Sequence, residues 1–477
     1  MSTLTVSEFL SVPTGPTIVG LTGETVRVVS NLTDAATNDA LSEAFALVDA
    51  STSCGSTTTV VHNGAAVIGV GLGENPDHED LRQATGSGVR AAAGLGEVHI
   101  AIAHDSAAEL EAMIEGALFA AYDFTKYTAP KKPAVTAMTV HSSYSQDADV
   151  MIEHATILRD SIARVRDLVN TAPNDLNPEN YSRIAKDEAE KVGLSVKIYE
   201  GQELIDERLN GLIAVGKGAE HGPRLVRIEW NPEGATGFTA LVGKGITYDS
   251  GGYSLKPSTS MVTMKTDMTG SATILQTIIA AARLGIQRRI VAWMCLAENM
   301  VSATSTRPDD VITYRNGTTV EINNTDAEGR VVMADGLIMA TEEKPDEVID
   351  IATLTGAQII ALGKRYSGVM GTDSVRDDVV AAADLVGELT WPMPLPKELR
   401  KSLDSPIADM RNSGSREGGM LVAGLYLKEF TGETPWAHID IAGPSFNQDA
   451  AWGYTPKNAT GVMVRTLVAF LEEKVAQ

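Results

Sequence analysis

From residue 195 to residue 443 the chain alternates short apolar segments with stretches of helical period, and this alternation constrains the fold more than any other feature of the sequence. The apolar segments are SVKIYEG (195–201), RLVRIEW (224–230), FTALVGKGI (238–246), RRIVAWMCLA (288–297), EVIDIATLT (347–355) and WAHIDIAG (436–443). Helical patterns over 270–284 and 329–343 lie between them, and another covers 460–475. Strands that alternate with helices this way form a largely parallel sheet with helices on both faces. In such sheets ligands gather beyond the carboxyl ends of the strands.

The first ~125 residues show a looser version of the same pattern. TIVGLTG (17–23), VVHNGAAVIGVGLG (60–73) and EVHIAIAH (97–104) read as buried strands, and 107–124 as an amphipathic helix. YTAPKKPAV (127–135) breaks the pattern with two prolines and two lysines, as a surface connection does. A helical stretch over 148–170 follows and ends at the prolines and asparagines of NTAPNDLNP. At 477 residues the chain exceeds one simple core. The expectation is an α/β protein of two domains, each a mixed or mostly parallel sheet flanked by helices. The smaller spans 1–145, a connecting helix 146–170, and the larger 171–477.

A net charge of −23 repels a nucleic-acid backbone, so nucleic acid is not expected as a partner. The two cysteines, Cys54 and Cys295, share no metal-binding or redox spacing, which fits a reducing cytoplasm. The N-terminal MSTLTVSEFLSVPTG lacks a basic region followed by an apolar stretch, so no signal peptide is expected. No apolar run approaches the roughly 18 residues of a membrane span.

Two segments place charge where an apolar strand gives way to a Gly-rich turn, a costly position unless something pairs it. They are 241–272, LVGKGITYDSGGYSLKPSTSMVTMKTDMTGSA, and 323–336, NNTDAEGRVVMADG. Asp326 and Glu328 are one residue apart, so in an extended segment both point the same way and repel unless a divalent cation sits between them. The competing reading is a helix start, with Thr325 or Asp326 as cap, Glu328 in the first turn and Arg330 solvated. Asp249, beside Gly251 and Gly252, also reads as a turn residue, and Asp267 as the cap of the following helix. Lys256 precedes Pro257 and is biased toward an extended conformation. Gly243-Lys244-Gly245 is no phosphate loop, because Gly245 stands where Ser or Thr is required. The glycines at 69, 71 and 73 miss the dinucleotide spacing, because Glu74 replaces the last glycine. His438, in an apolar strand, reads as a core or supporting group rather than a ligand.

NTDAEGR (324–330), preceded at matching spacing by GKGITYDSGGYSLKP (243–257), resembles the signature of the leucine (cytosol) aminopeptidase family. ENMVS with Arg307-Pro308, ATLTGA (352–357), HIDIAG (438–443) and NTAPNDLNP from Asn170 are similar to further motifs of that family. The resemblance covers roughly 160–477, while 1–145 is loosely similar to the family's variable N-terminal domain. Tyr248 departs from the usual Phe, MTGSAT from the usual small-residue run, and Asp309 from the usual Gly. The resemblance implies a peptidase of the leucyl aminopeptidase type, with 171–477 as its catalytic domain, acting on peptides with a free N-terminus. It implies two divalent ions, Mn²⁺ or Zn²⁺, bridged by Asp249 and Glu328. Lys244 and Asp267 complete the tighter site, and Asp326 completes the exchangeable one. A lysine ligand must be neutral, and nearby dications lower its pKa. The nucleophile is a metal-activated water. Lys256 stabilises the developing oxyanion, and Arg330 holds a bicarbonate that serves as general base. Met264, Thr353, Leu354 and Gly356 line the pocket for the first side chain. The resemblance also implies a cytoplasmic homohexamer built as a dimer of trimers.

Overall fold

The structure, a computed structural model, describes residues 2–144 and 146–476. The chain forms two compact units. One takes the residues up to Ala163 together with Asn447–Asn458; the other takes Arg164–Phe446 and the residues from Ala459 onward. The division falls inside the Ala148–Asn170 helix.

The first unit is built on seven strands: β1 (Thr3–Ser7), β2 (Thr17–Thr22), β3 (Arg27–Val29), β4 (Thr57–His62), β5 (Ala65–Gly71), β6 (Glu97–Ile100) and β7 (Ala137–His141). Their order is β1-β7-β6-β2-β5-β4, with β3 antiparallel on β2. The stretch 60–73, read from its sequence as one strand, contains a hairpin turn instead. Asn63 and Gly64 take φ of 48° and 81°, and β4 pairs antiparallel with β5 from His62 opposite Ala65. Two successive residues in left-handed conformation make the tight turn whose twist matches paired strands, and Asn-Gly is the sequence that favours it. The helix expected over 107–124 ends earlier, as Ala107–Ala120. It lies against the His78–Ala91 helix so closely that a Cβ at Gly116 would come within 2.2 Å of the Arg82 carbonyl oxygen.

The second unit carries an eight-stranded sheet. Its strands include β8 (Ser195–Glu200), β9 (Arg224–Trp230), β10 (Phe238–Asp249) and β11 (Arg289–Asn299). After β12 (Asp310–Thr313) and β13 (Thr319–Ile322), which lie outside this sheet, it continues with β14 (Glu347–Ala352), β15 (Ser367–Gly371) and β16 (Thr390–Pro392). The short strand β17 (Met410–Arg411) joins β12 and β13 in a separate sheet, and β18 (Trp436–Asp440) returns to the large one. The order is β16-β15-β18-β14-β10-β11-β9-β8. Neighbours from β18 to β11 run parallel; β9 and β8 at one side, and β15 beside β18 at the other, pair antiparallel.

β10 is central and buried for nearly its whole length, as an apolar run between two helical layers must be. Its residues alternate between the layers. Gly243 and Gly245 face the Thr269–Leu284 helix, where a Cβ on Gly243 would meet the Ser271 Cα at 2.6 Å. Val242 and Lys244 face the Glu328–Glu342 helix, with Val242 against Gly336 and Lys244 against Gly329. Around Val242, Trp293, Val332, Leu337 and Trp436 is packed a large hydrophobic core of this unit. Among the described residues, no helix is long and apolar enough to cross a membrane.

Candidate metal centre

The site forms where β10, β11 and β14 end. At the end of β10 the register with β11 shifts between Ile246 and Asp249, and the chain turns sharply. Asp249 Oδ1 accepts from the Gly251 amide at 2.8 Å and from Asn299 Nδ2 at 2.8 Å. Gly251 and Gly252 take φ of 85° and 61°, and a Cβ on Gly251 would stand 2.8 Å from Asp326 Oδ1. Glycine is required there both for the left-handed turn and for the approach of a carboxylate. The loop closes with the Lys256 amide donating to the Ser250 carbonyl at 3.0 Å. That closure carries Lys256 Nζ to 2.8 Å from Asp249 Oδ2 and 2.6 Å from Asp326 Oδ1.

On the inner side, Lys244 Nζ lies 2.8 Å from Asp267 Oδ1 and 2.9 Å from Glu328 Oε1, and donates to the Thr353 carbonyl at 3.0 Å. Thr353 Oγ1 donates to Asp267 Oδ1 at 2.8 Å. Asp249, Asp326 and Glu328 each offer an oxygen within 4.8 Å of the others.

Neither capping alternative is realised. The helix after Asp267 has Met268 at its cap position and the helix at Glu328 has Ala327, and neither cap has a side-chain hydrogen bond. Asp249 does serve its turn, through one oxygen, while the other faces Lys256. Asp326 and Glu328 converge for a reason different from strand alternation. Glu328 opens a helix and Asp326 sits in the turn before it, so the bend of the chain, not an extended segment, aims both inward. Asp309, in place of a usual glycine, takes φ of 75°, a left-handed conformation that Asp tolerates better than most side chains.

Four carboxylates thus crowd against two lysines, with Asp249, Asp267, Glu328 and Lys244 buried and Asp326 and Lys256 at the partly exposed edge. Burial favours neutral Lys244, but Asp267, Glu328 and Asp249 outweigh it and push the ammonium above its ordinary range. Burial likewise opposes the charge of Lys256, and Asp249 and Glu328 more than restore it. Burial pushes Asp267 well up; Lys244 opposes the shift, and Glu328 and Asp249 add to it. Glu328 and Asp326 are raised, first by burial and further by Asp249. Asp267 Oδ2 and Glu328 Oε2 are buried and have no hydrogen-bond partner among the described residues. Hard oxygens crowded together, raised in pKa and partly unsatisfied fit a divalent cation. A dication at these oxygens would reverse the preference of Lys244, because its charge favours the neutral amine.

Arg330 lies beyond the cluster, buried, with Nη1 donating to the Asn412 carbonyl at 3.1 Å. Its guanidinium stands 6.0 Å from the centre of the Tyr426 ring, and burial works against its charge. Arg330 Nε has no hydrogen-bond partner among the described residues. Met264 opens the short 3-10 turn that ends just before Asp267. The Leu354 amide donates to Asp440 Oδ1 at 3.2 Å, and Gly356 is exposed at the head of the next helix. His438 is buried, with Nδ1 bonded to Asp350, and belongs to the supporting layer. Asn299 enters the sequence reading only as part of the ENMVS motif, without a role of its own, and Asn412 does not enter it. Their signal was weak: one follows a charged residue at a strand end, and the other stands 82 residues from the arginine it touches.

The chain is similar to known proteins over most of its length. The catalytic-domain profile of the cytosol aminopeptidase family matches residues 163–468, and the N-terminal-domain profile of the same family matches residues 18–131. A "Probable cytosol aminopeptidase" of Micrococcus luteus is 49% identical over 418 residues, covering 84% of this chain and 82% of the relative. One from Clavibacter michiganensis subsp. michiganensis is 48% identical over 420 residues, covering 84% of each. Among solved structures, "Bottromycin maturation enzyme BotP in complex with Mn" superposes with a TM-score of 0.86 at 31% identity, covering 97% of this chain and 100% of that one.

Proposed function

The chain belongs to the cytosol aminopeptidase family, and from that premise we propose that Lys244, Asp249, Asp267, Asp326 and Glu328 hold two divalent cations for removal of N-terminal residues from peptides. The observation that carries this reading is the pair of buried, unpartnered oxygens, Asp267 Oδ2 and Glu328 Oε2, inside a cluster of four carboxylates. Bound there, the cations would supply Lewis acidity and an activated water. Mn²⁺ and Zn²⁺ both suit the ligands, and the Mn-bound solved relative supports Mn²⁺.

Lys256 is the cation that meets the substrate. Its side chain keeps 16% exposure, against 3% for Lys244. Its ammonium stabilises the oxygen of the scissile carbonyl as charge develops, an interaction stronger in the transition state than in the ground state. Arg330 would hold a small planar anion, bicarbonate, which would supply a general base beside the metal site. Its unpartnered Nε and the planar fork of a guanidinium support that role. Met264, Thr353, Leu354 and Gly356 line the pocket for the first side chain, and the Leu354 carbonyl accepts a hydrogen bond from the substrate. The same reading includes a cytoplasmic homohexamer, which sedimentation of the purified protein tests directly.

The decisive assay follows Leu-p-nitroanilide hydrolysis by metal-stripped protein before and after addition of Mn²⁺ or Zn²⁺. Activity should return with metal and be largely lost in Lys256→Ala and Asp326→Ala. Reconstituted wild type that cleaves neither this nor a panel of unblocked dipeptides would refute the catalytic assignment.

A further inference from the structure

Asn412 joins the two halves of the site that chemistry must keep in register. It follows β17, which pairs parallel with β13 through Val320 opposite Met410 and Glu321 opposite Arg411. The Asn412 amide continues that pairing by donating to the Glu321 carbonyl at 2.9 Å. Beyond it, β13 runs into the turn that carries Asp326, and the side chain of Asn412 takes over from the ladder. Its Oδ1 accepts from two successive amides, Asn323 at 3.0 Å and Asn324 at 3.2 Å. Its Nδ2 donates to the Asn324 carbonyl at 2.7 Å and reaches the Ala327 carbonyl at 3.4 Å. Its own carbonyl receives Arg330 Nη1 at 3.1 Å. The side chain is fully buried and has both ends engaged.

The neighbouring pair works in the same sense. Asn323 Oδ1 accepts from the Ser413 amide and hydroxyl, each at 3.0 Å, and Asn323 Nδ2 donates to the Ser413 carbonyl at 3.1 Å. A small cleft, lined by Asn299, Thr325, Glu328, Val331 and Asn412 among others, lies beside the turn. Directional hydrogen bonds from Asn412 and Asn323 add to packing in setting where the turn sits.

We propose that Asn412 is a positioning residue of the aminopeptidase reaction. Through one side chain and one carbonyl it fixes the Asp326–Glu328 turn and the Arg330 guanidinium relative to each other. This rests on the roles proposed above for Asp326, Glu328 and Arg330. Metal affinity and anion binding are therefore coupled at a residue that touches neither.

The test compares wild type, Asn412→Ala and Asn323→Ala, each as the full chain. Calorimetry on stripped protein reads Mn²⁺ affinity, steady-state kinetics on Leu-p-nitroanilide read kcat and KM, and added bicarbonate reads the anion response. Asn412→Ala should bind Mn²⁺ about 10- to 100-fold more weakly, as loss of an outer support of metal ligands does. Its kcat should fall about 100-fold with KM within about threefold, because misplacement rather than lost substrate contact is the defect. The bicarbonate concentration for half-maximal response should rise. Asn323→Ala should move all three quantities the same way by less.

Wild-type Mn²⁺ affinity and bicarbonate response in Asn412→Ala overturn the proposal, including the case in which activity falls only with the folded fraction seen by circular dichroism. Where Asn412→Ala does not fold, Asn323→Ala decides: unchanged Mn²⁺ affinity and kcat overturn it. Inactive wild type would instead remove the aminopeptidase reading, and the Mn²⁺ comparison would still judge the clamp.

Discussion

The two roles proposed for Lys256 and Lys244 follow from a difference in burial. Lys244 is enclosed by Asp267, Glu328 and the Thr353 carbonyl, whereas Lys256 stands at the edge of the cluster. Lys256→Ala should lower kcat by about 10²- to 10³-fold, the effect of removing one oxyanion donor, with little change in metal content. Steady-state rates and metal analysis on the same preparation check this, and a loss of bound metal matching the loss of rate would contradict it. Asp335 is a buried carboxyl outside the site, whose Oδ2 accepts from the Leu212 amide at 2.8 Å. Burial pushes its pKa from 3.8 up to about 8, against the effect of its backbone hydrogen bonds to Leu212 and Gly211. The fold therefore binds this proton more tightly than the unfolded chain does, and stability falls as pH rises from 3.8 toward 8, levelling above. Asp335→Asn keeps an acceptor for the amide and removes the charge. Its melting temperature should exceed that of wild type, by a margin that widens as the pH is raised to 8 and narrows in acid. Parallel melting curves at both ends of that range would refute the assignment.

Helices and strands set the site through a few close approaches. A Cβ at Gly329 would come within 2.5 Å of Lys244 Cε and 2.6 Å of Nζ. Alanine is the better helix former by about 1 kcal/mol, so local propensity alone would make Gly329→Ala stabilising. Lys244 has three partners and little freedom to retreat. Gly329→Ala should therefore weaken Mn²⁺ binding about tenfold or more, with only a modest lowering of the melting temperature of the unloaded protein, because the helix-propensity gain partly offsets the displacement of Lys244. Calorimetry beside a thermal scan distinguishes this from a general loss of fold. Gly270 gives the opposite case. A Cβ there would stand 2.1 Å from the Ile351 carbonyl oxygen, a backbone atom that cannot move aside, so Gly270→Ala should cost stability outright, about 1–3 kcal/mol or more. The strands β8, β9, β10, β11, β14 and β18 all coincide with apolar segments visible in the sequence. β15 and β16 do not stand out, because SGVMG and TWP are short and interrupted by Gly and Pro, which weaken any strand pattern.

For the whole molecule, the metal loading proposed above would be linked to folding. The proposed ligands are brought together only by the folded second unit, so metal would bind the native chain in preference to the unfolded one. Mn²⁺ at a hundredfold excess over its dissociation constant should add about 2.7 kcal/mol, and a chelator should reverse the gain. An unchanged melting midpoint across a Mn²⁺ titration would refute metal binding at the cluster. By itself the sequence determined what local order can carry. Periodicity marked the central strands and helices, and the NTDAEGR and GKGITYDSGGYSLKP segments supplied the family and the residue types of the site. It left each carboxylate open between cap, turn and ligand, and it read a hairpin as a strand. Only the tertiary structure decided those matters, because they depend on contacts between distant segments. Lys244 meets a carbonyl 109 residues away, and Lys256 meets the carboxylate of Asp326. The return of Asn447–Asn458 to the first unit and the grip of Asn412 on the Asp326 turn have the same origin. A single Asn in a run of polar residues carries no periodic signal, and its partners are named only when the chain has folded around it.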